Sequence, residues 1–214
     1  MQRKQTSKDI TGVFGTRGSG KTEWIRRYLR SIPRVIVLEN GNEEYNDICE
    51  LKAYSKEELA ESLLDRGKFK ILYTNTDVSD MDALDEMCEL AQAYTKDITK
   101  RFNVSLPVLL VIDEAQNYTS AWKISKIFRK SIMLSRHLDF NIVYSTQRPS
   151  QISRNLTSQS NRFIIYNLVE NTDVKFFYAF LGANASLIHN LRKYHYLDCD
   201  LSKSEIIEKM FENI

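Results

Sequence analysis

Gly15-Thr16-Arg17-Gly18-Ser19-Gly20-Lys21-Thr22 stands near the start of the chain, behind the apolar pair Val13-Phe14 and ahead of Glu23-Trp24-Ile25-Arg26-Arg27-Tyr28-Leu29. Its spacing is G-x-x-x-x-G-K-[ST], and its context is the one in which such a loop binds phosphate: an apolar strand over residues 10–14 before it and an amphipathic helix after it. Gly15, Gly18 and Gly20 let backbone N–H groups close on an anion with no Cβ in the way, and Thr16, Arg17 and Ser19 complete the cradle. The helix that begins near Lys21 points its positive end at the same anion. Lys21 is placed to neutralise the outer phosphates, and the Thr22 hydroxyl to sit on Mg²⁺. A glycine-serine turn that only caps a helix would not need all eight positions to match.

Outward from this loop, strand and helix patterns alternate, the mark of a parallel sheet with helices on its faces. Residues 34–38, Arg-Val-Ile-Val-Leu after Pro33, form a continuous apolar run and predict a buried strand. Residues 39–45 follow at its C-terminal end, where open α/β sheets bind ligands, so their acids either face a nucleotide or are solvated loop carboxylates. The pattern then predicts a helix over 56–66, a strand over 70–74 and a long helix over 81–101, whose Met and Cys residues read as core filler.

The second decisive stretch is Pro107-Val108-Leu109-Leu110-Val111-Ile112-Asp113-Glu114-Ala115-Gln116-Asn117, a buried strand that delivers two acids to its tip. Beside a phosphate loop, Asp113 is placed to hold Mg²⁺ and Glu114 to act as general base on an attacking water. A helix is predicted over 119–136, with Lys123, Lys126 and Lys130 sharing one face, either as DNA contacts or as a solvated basic surface. Residues 140–146 predict a strand that presents Gln147 to the attacking water or the γ-phosphate, and 162–166 a further strand. Helices over 171–181, 185–192 and 202–212, with a strand over 194–197, are expected in the remainder.

At 214 residues the chain reads as one motor-sized domain over 10–200, a basic extension over 1–9 and a C-terminal helix within 201–214. Lys+Arg at 30 against Asp+Glu at 28 makes any nucleic-acid role a matter of local patches. Cys49, Cys88 and Cys199 are far apart and odd in number, which disfavours a disulfide framework or zinc site and suggests a reducing, intracellular setting. No run approaches the roughly 18 apolar residues of a membrane span, so the chain is expected to be soluble and unprocessed.

Four segments together, residues 15–22, 39–45, 108–117 and 144–168, resemble the HerA/FtsK branch of P-loop motor ATPases. The T-Q-R-P of that family stands here as Thr146-Gln147-Arg148-Pro149, its S-Q-x-N as Ser158-Gln159-Ser160-Asn161, and its acidic motif as Asp113-Glu114-Ala115-Gln116-Asn117, with Gln in place of His. Its D-P-x-G-E-Y turn appears loosely at 39–45, from which only Glu44 carries over. The resemblance covers most of residues 10–181 and implies a RecA-like (ASCE) three-layer α/β sandwich around a mostly parallel sheet. With no N-terminal barrel, membrane anchor or winged-helix tail, the chain is similar to the genome-packaging ATPases of viruses with internal membranes and related phages. That implies an ATP- and Mg²⁺-dependent translocase of double-stranded DNA, a homopentameric or homohexameric ring, capsid or membrane-vertex proteins as partners, and a place in the host cytoplasm or virion. It also implies a trans arginine finger, with Arg136 first and Arg148 second in line. The rival reading is an assembly or export protein of the filamentous-phage kind. A small-molecule kinase is disfavoured because no arginine-rich lid follows residue 149.

Overall fold

The structure is a computed structural model that describes residues 9–64, 67–135 and 139–210. Nine strands of the described residues form one sheet: β1 (Ile10–Phe14), β2 (Arg34–Leu38), β3 (Leu51–Ala53), β4 (Phe69–Tyr73), β5 (Val108–Ile112), β6 (Phe140–Thr146), β7 (Arg162–Tyr166), β8 (His195–Asp200) and β9 (Glu205–Met210). Their spatial order is β3-β4-β2-β5-β6-β1-β7-β8-β9. Pairing is parallel from β3 to β7 and antiparallel from β7 through β8 to β9. Every residue of β1 and β5 is buried, as expected of central strands with helices on both faces.

Among the described residues six α-helices accompany the sheet: α1 (Lys21–Leu29), α2 (Lys56–Leu63), α3 (Asp80–Phe102), α4 (Lys126–Leu134), α5 (Arg154–Thr157) and α6 (Asn171–Leu181). In α1 the buried residues are Lys21, Trp24, Ile25 and Leu29, an i, i+3, i+4, i+8 stripe. In α3, Ser79 caps the first turn by accepting from Asp82 N, and Asn103 closes the last in the left-handed conformation at φ 51°. Around β1, Phe14 makes edge-to-face contacts with Tyr144, Phe163 and Phe177, at centroid distances of 5.7, 5.1 and 4.9 Å. These rings fix the strand that carries the phosphate loop.

Three expectations are corrected. The C-terminal helix over 202–212 is instead β9, because hydrogen bonding to β8 overrides the helical pattern of Glu205-Ile206-Ile207-Glu208-Lys209-Met210. The helix over 119–136 begins only at Lys126, where Ser125 accepts from Phe128 N, so Lys123 lies on the preceding turn and shares no helical face with Lys126 and Lys130. Residues 182–190 are 3₁₀ and not α-helical. The short edge strand β3 was not expected, and the basic start, residues 1–8, lies outside the described residues. No helix of the described residues is long and apolar enough to cross a membrane.

Candidate functional site

The site forms where β1, β5 and β6 end side by side. Gly15 N donates to Thr146 O at 3.3 Å and Thr16 N to Asn167 O at 3.1 Å, which hangs the phosphate loop between the tips of β6 and β7. Gly15 cannot be replaced cheaply: its φ is 156°, and a Cβ there would come within 2.6 Å of Ser19 Oγ and 2.7 Å of Tyr166 Cβ. Gly20, at φ 111°, turns the chain into α1 so that the helix begins at Lys21.

Lys21 is buried at 6% exposure, and its ammonium donates to Gly15 O at 2.9 Å and Thr16 O at 3.2 Å. Burial lowers its pKa below the ordinary lysine range, while nearby Glu114, Asp113 and Glu44 pull it back up. Ser19 Oγ is buried with no hydrogen-bond partner. An orphaned hydroxyl, a lysine folded onto loop carbonyls and a helix N-terminus make a cradle that fits a phosphate chain.

The oxygen set beside it fits Mg²⁺. Thr22 Oγ1 donates to Glu44 Oε2 at 2.7 Å. Asp113, 6% exposed, accepts from Ser145 Oγ at 2.6 Å and Tyr45 OH at 3.2 Å. Burial raises its pKa, Glu114 and Glu44 add to this, and the Ser145 hydrogen bond opposes it. A hydroxyl and one or two carboxylates, completed by phosphate oxygens, are donors that Mg²⁺ prefers; among the described residues no cluster of three or more acids, histidines or cysteines is grouped for a tighter cage. Glu39 does not face this space. It is 1% exposed, and its carboxylate accepts from Glu43 N at 2.7 Å and Glu44 N at 3.3 Å, building the turn that brings Glu44 to Thr22.

Glu114 is held from three sides. Its backbone takes φ 51°, and Glu114 N donates to Ser145 Oγ at 3.0 Å. Gln147 Nε2 donates to one carboxylate oxygen at 2.6 Å and Gln116 Nε2 to the other at 2.7 Å. Gln116 Oε1 in turn accepts from Thr146 Oγ1 at 2.6 Å, and Thr146 Oγ1 accepts from Arg148 N at 2.9 Å. A charge-assisted chain therefore runs from the acid of β5 to the backbone beyond β6.

Lys21, Thr22, Asp113, Glu114 and Gln147 thus converge as their spacing predicts. Arg148 points away: its guanidinium pairs with Glu170 and reaches Asp173 at 3.6 Å, and the Glu170 hydrogen bond raises its pKa. Arg136 lies outside the described residues. Sequence reasoning gave no role to Gln116, Ser145 and Tyr45. The signals were the glutamine two residues past Glu114, the polar pair Ser145-Thr146 ending an apolar strand, and the tyrosine that closes the turn at 39–45.

A family profile described as an AAA domain matches residues 3–150. The fold is similar to that of the genome packaging NTPase B204 from Sulfolobus turreted icosahedral virus 2 in complex with ATP-gammaS, with TM-score 0.79 and 20% identity over 95% of this chain and 98% of that one. B204, the DNA-packaging ATPase from Sulfolobus turreted icosahedral virus, is similar with TM-score 0.76 and 18% identity over 95% and 98%. VirB4 of Thermoanaerobacter pseudethanolicus follows with TM-score 0.61 and 9% identity over 100% and 92%. No curated protein matches by sequence.

Proposed function

Because this chain belongs to the AAA-domain family, we propose that it hydrolyses ATP to move double-stranded DNA, as the motor that packages a viral or phage genome. The observation that carries the reading is the end-to-end likeness in which 95% of this chain and 98% of a genome packaging NTPase share one fold. The motor is a ring of five or six copies, works in the host cytoplasm or at the virion, and docks on capsid or membrane-vertex proteins.

The chemistry that Mg²⁺ would supply when bound is charge neutralisation on the phosphates. Thr22 and Asp113 would hold it, with Glu44 beside them. Lys21 trades its two carbonyl partners for phosphate oxygens, a favourable exchange for a buried ammonium. Glu114 takes the proton of the attacking water, and Gln147 orients that water while sensing whether a γ-phosphate is present. Arg136 or Arg148 of a neighbouring copy supplies a further positive charge at the γ-phosphate, beside that of Lys21.

The test is the ATPase rate of the purified protein with and without double-stranded DNA, together with its mass in solution. Stimulation by DNA of a species five or six chains in mass supports the motor. Hydrolysis that ignores DNA and depends on a membrane partner points to an export protein instead.

A further inference from the structure

The segment between Glu114 and α4 carries a feature that hydrolysis does not use. Ser120 N donates to Lys123 O at 2.9 Å and Lys123 N to Ser120 O at 3.3 Å, and Ser120 Oγ takes a further bond from Lys123 N at 3.0 Å. This closes a four-residue turn with Ala121 and Trp122 at its tip. Trp122 is 99% exposed, against 8% for Trp24. A wholly solvated indole forgoes the burial that makes tryptophan favourable in a folded chain, and tryptophan standing alone in water at the tip of an ordered turn marks a contact surface.

The turn is tied down at both ends. Thr119 donates through N and Oγ1 to Ala115 O at 3.0 and 3.2 Å, and Tyr118 OH donates to Asn40 Oδ1 at 2.6 Å. On the far side Ser125 Oγ bonds to Asp85 of α3 and accepts from Phe128 N at 2.9 Å. The indole is therefore presented by a fixed support one residue removed from Glu114.

Its surroundings are of one sign. From Tyr118 to Ser135 the sequence holds no Asp or Glu, while Lys123, Lys126, Arg129 and Lys130 are all exposed. None of the four takes part in an ion pair among the described residues. A flat π face set among free cations complements a ligand with flat faces and repeating negative charge, which describes a nucleic acid. A duplex stacks its bases on one another and offers only edges and phosphates, whereas an unpaired strand leaves base faces open.

We propose that Trp122 is a stacking platform for unpaired DNA bases, with Lys123, Lys126 and Lys130 on the flanking phosphates. The inference rests on the reading that this protein acts on DNA and adds the form of DNA it holds: a strand with bases free of their partners, as at a frayed or single-stranded end. Because every base has a π face, the platform is indifferent to sequence. Because the turn hangs on Ala115, a strand pulled across the indole loads the segment that carries Glu114.

The experiment uses the full chain with a non-hydrolysable ATP analogue at low, fixed salt. The probes are an oligothymidylate and a blunt duplex of equal length, read by fluorescence anisotropy and by quenching of intrinsic tryptophan emission. Buried Trp24 serves as an internal control of folding. Oligothymidylate is expected to quench the exposed tryptophan. Trp122→Ala should weaken oligothymidylate binding roughly 5- to 100-fold, with duplex affinity, basal ATPase and Trp24 emission unchanged. Trp122→Tyr should recover most of the loss. Equal affinity of Trp122→Ala and wild type for oligothymidylate overturns the proposal, as does equal weakening toward both probes. Unchanged DNA binding with a lower mass in solution assigns the indole to a neighbouring copy and also overturns it. A wild-type protein that binds neither probe removes the DNA reading itself, a failure distinct from that of the stacking role.

Discussion

Gln147 Nε2 lies 2.6 Å from Glu114 Oε1, so the side chain just past β6 holds the carboxylate just past β5. With Gln116 on the other oxygen, both carboxylate oxygens are engaged and the group has one orientation. In the proposed role of general base, a carboxylate held this way would meet its water without first reordering its own side chain.

Replacing Glu114 by Gln keeps shape and hydrogen bonding but removes the base. Hydrolysis should fall by about 10²- to 10⁴-fold while nucleotide affinity persists. Lys21→Ala should instead lose affinity, since its ammonium is the buried charge in the phosphate cradle. Steady-state rates beside equilibrium binding of a labelled nucleotide separate the two, and a Glu114→Gln protein with wild-type turnover refutes the base assignment.

The two amides are expected to matter through turnover and not through binding. A hydrogen bond to a charged group is worth about 1.5–3 kcal/mol, so Gln116→Ala or Gln147→Ala should each lower kcat by about 10- to 100-fold. Gln116→His keeps an N–H donor at that place and should retain most of the activity. Single-turnover hydrolysis at saturating ATP is the measurement; a rise in Kd at constant kcat would contradict the role.

For the finger, mixing is decisive. Arg136→Ala subunits added to a Glu114→Gln preparation, each inactive alone, should restore part of the ATPase if the two residues meet across an interface. Absence of recovery in demonstrably mixed rings transfers the role to Arg148. That residue must first leave Glu170 and Asp173, so Glu170→Ala should then raise activity.

Lys126 and Lys130 on α4, with Lys123 on the turn before it, should contact DNA phosphates without reading bases, whether the strand at Trp122 is unpaired or continues into a duplex. Duplex affinity should fall with salt at a log–log slope of about −0.9 per phosphate neutralised, and removing all three lysines should flatten it. Salt titrations of labelled duplex, wild type beside the triple variant, decide this; an unchanged slope places the DNA path elsewhere.

Asp198 on β8 accepts from Arg162 Nε and Nη2 of β7, both at 2.8 Å, and from Lys209 Nζ of β9 at 2.6 Å. Burial works against its charge, but these partners win and hold its pKa below the ordinary aspartate value. A depressed carboxylate contributes stability in full above its unfolded pKa of about 3.9 and loses it as pH falls through the folded value. Asp198→Asn should cost about 1–2 kcal/mol near neutrality, discounted for the half-exposed partners, and should remove the corresponding acid-side fall in Tm. Thermal melts across the acid range test it.

The parallel half of the sheet was readable because each strand is a short apolar run ending in a polar tip, as in Val108–Ile112 before Asp113. The rim was not. Leu51–Ala53 is too short for any period to show, and Glu205–Met210 has a composition that suits a helix until β8 offers it a ladder. Lys123 was misplaced because the pattern ran through the Ser120–Lys123 turn, and only Ser125 marked the true start of α4. In the site, residues of fixed spacing were legible and their supports were not. Gln116 and Ser145 act through contacts across strands that are about 30 residues apart in sequence, which no local pattern encodes.

β6 stands between β1 and β5 in the sheet. Phe14 pairs with Thr146 and Ile112 with Tyr144, so two strand spacings, about 10 Å, separate the phosphate loop from the acid strand. β6 fills that interval, and its last two residues touch both sides: Thr146 O accepts from Gly15 N of the phosphate loop, while Ser145 Oγ donates to Asp113 and Thr146 Oγ1 to Gln116 beyond the acid strand. Strand order alone thus makes the tip of β6 a common abutment, so a shift of either neighbour is felt by the other through two hydroxyls and one carbonyl.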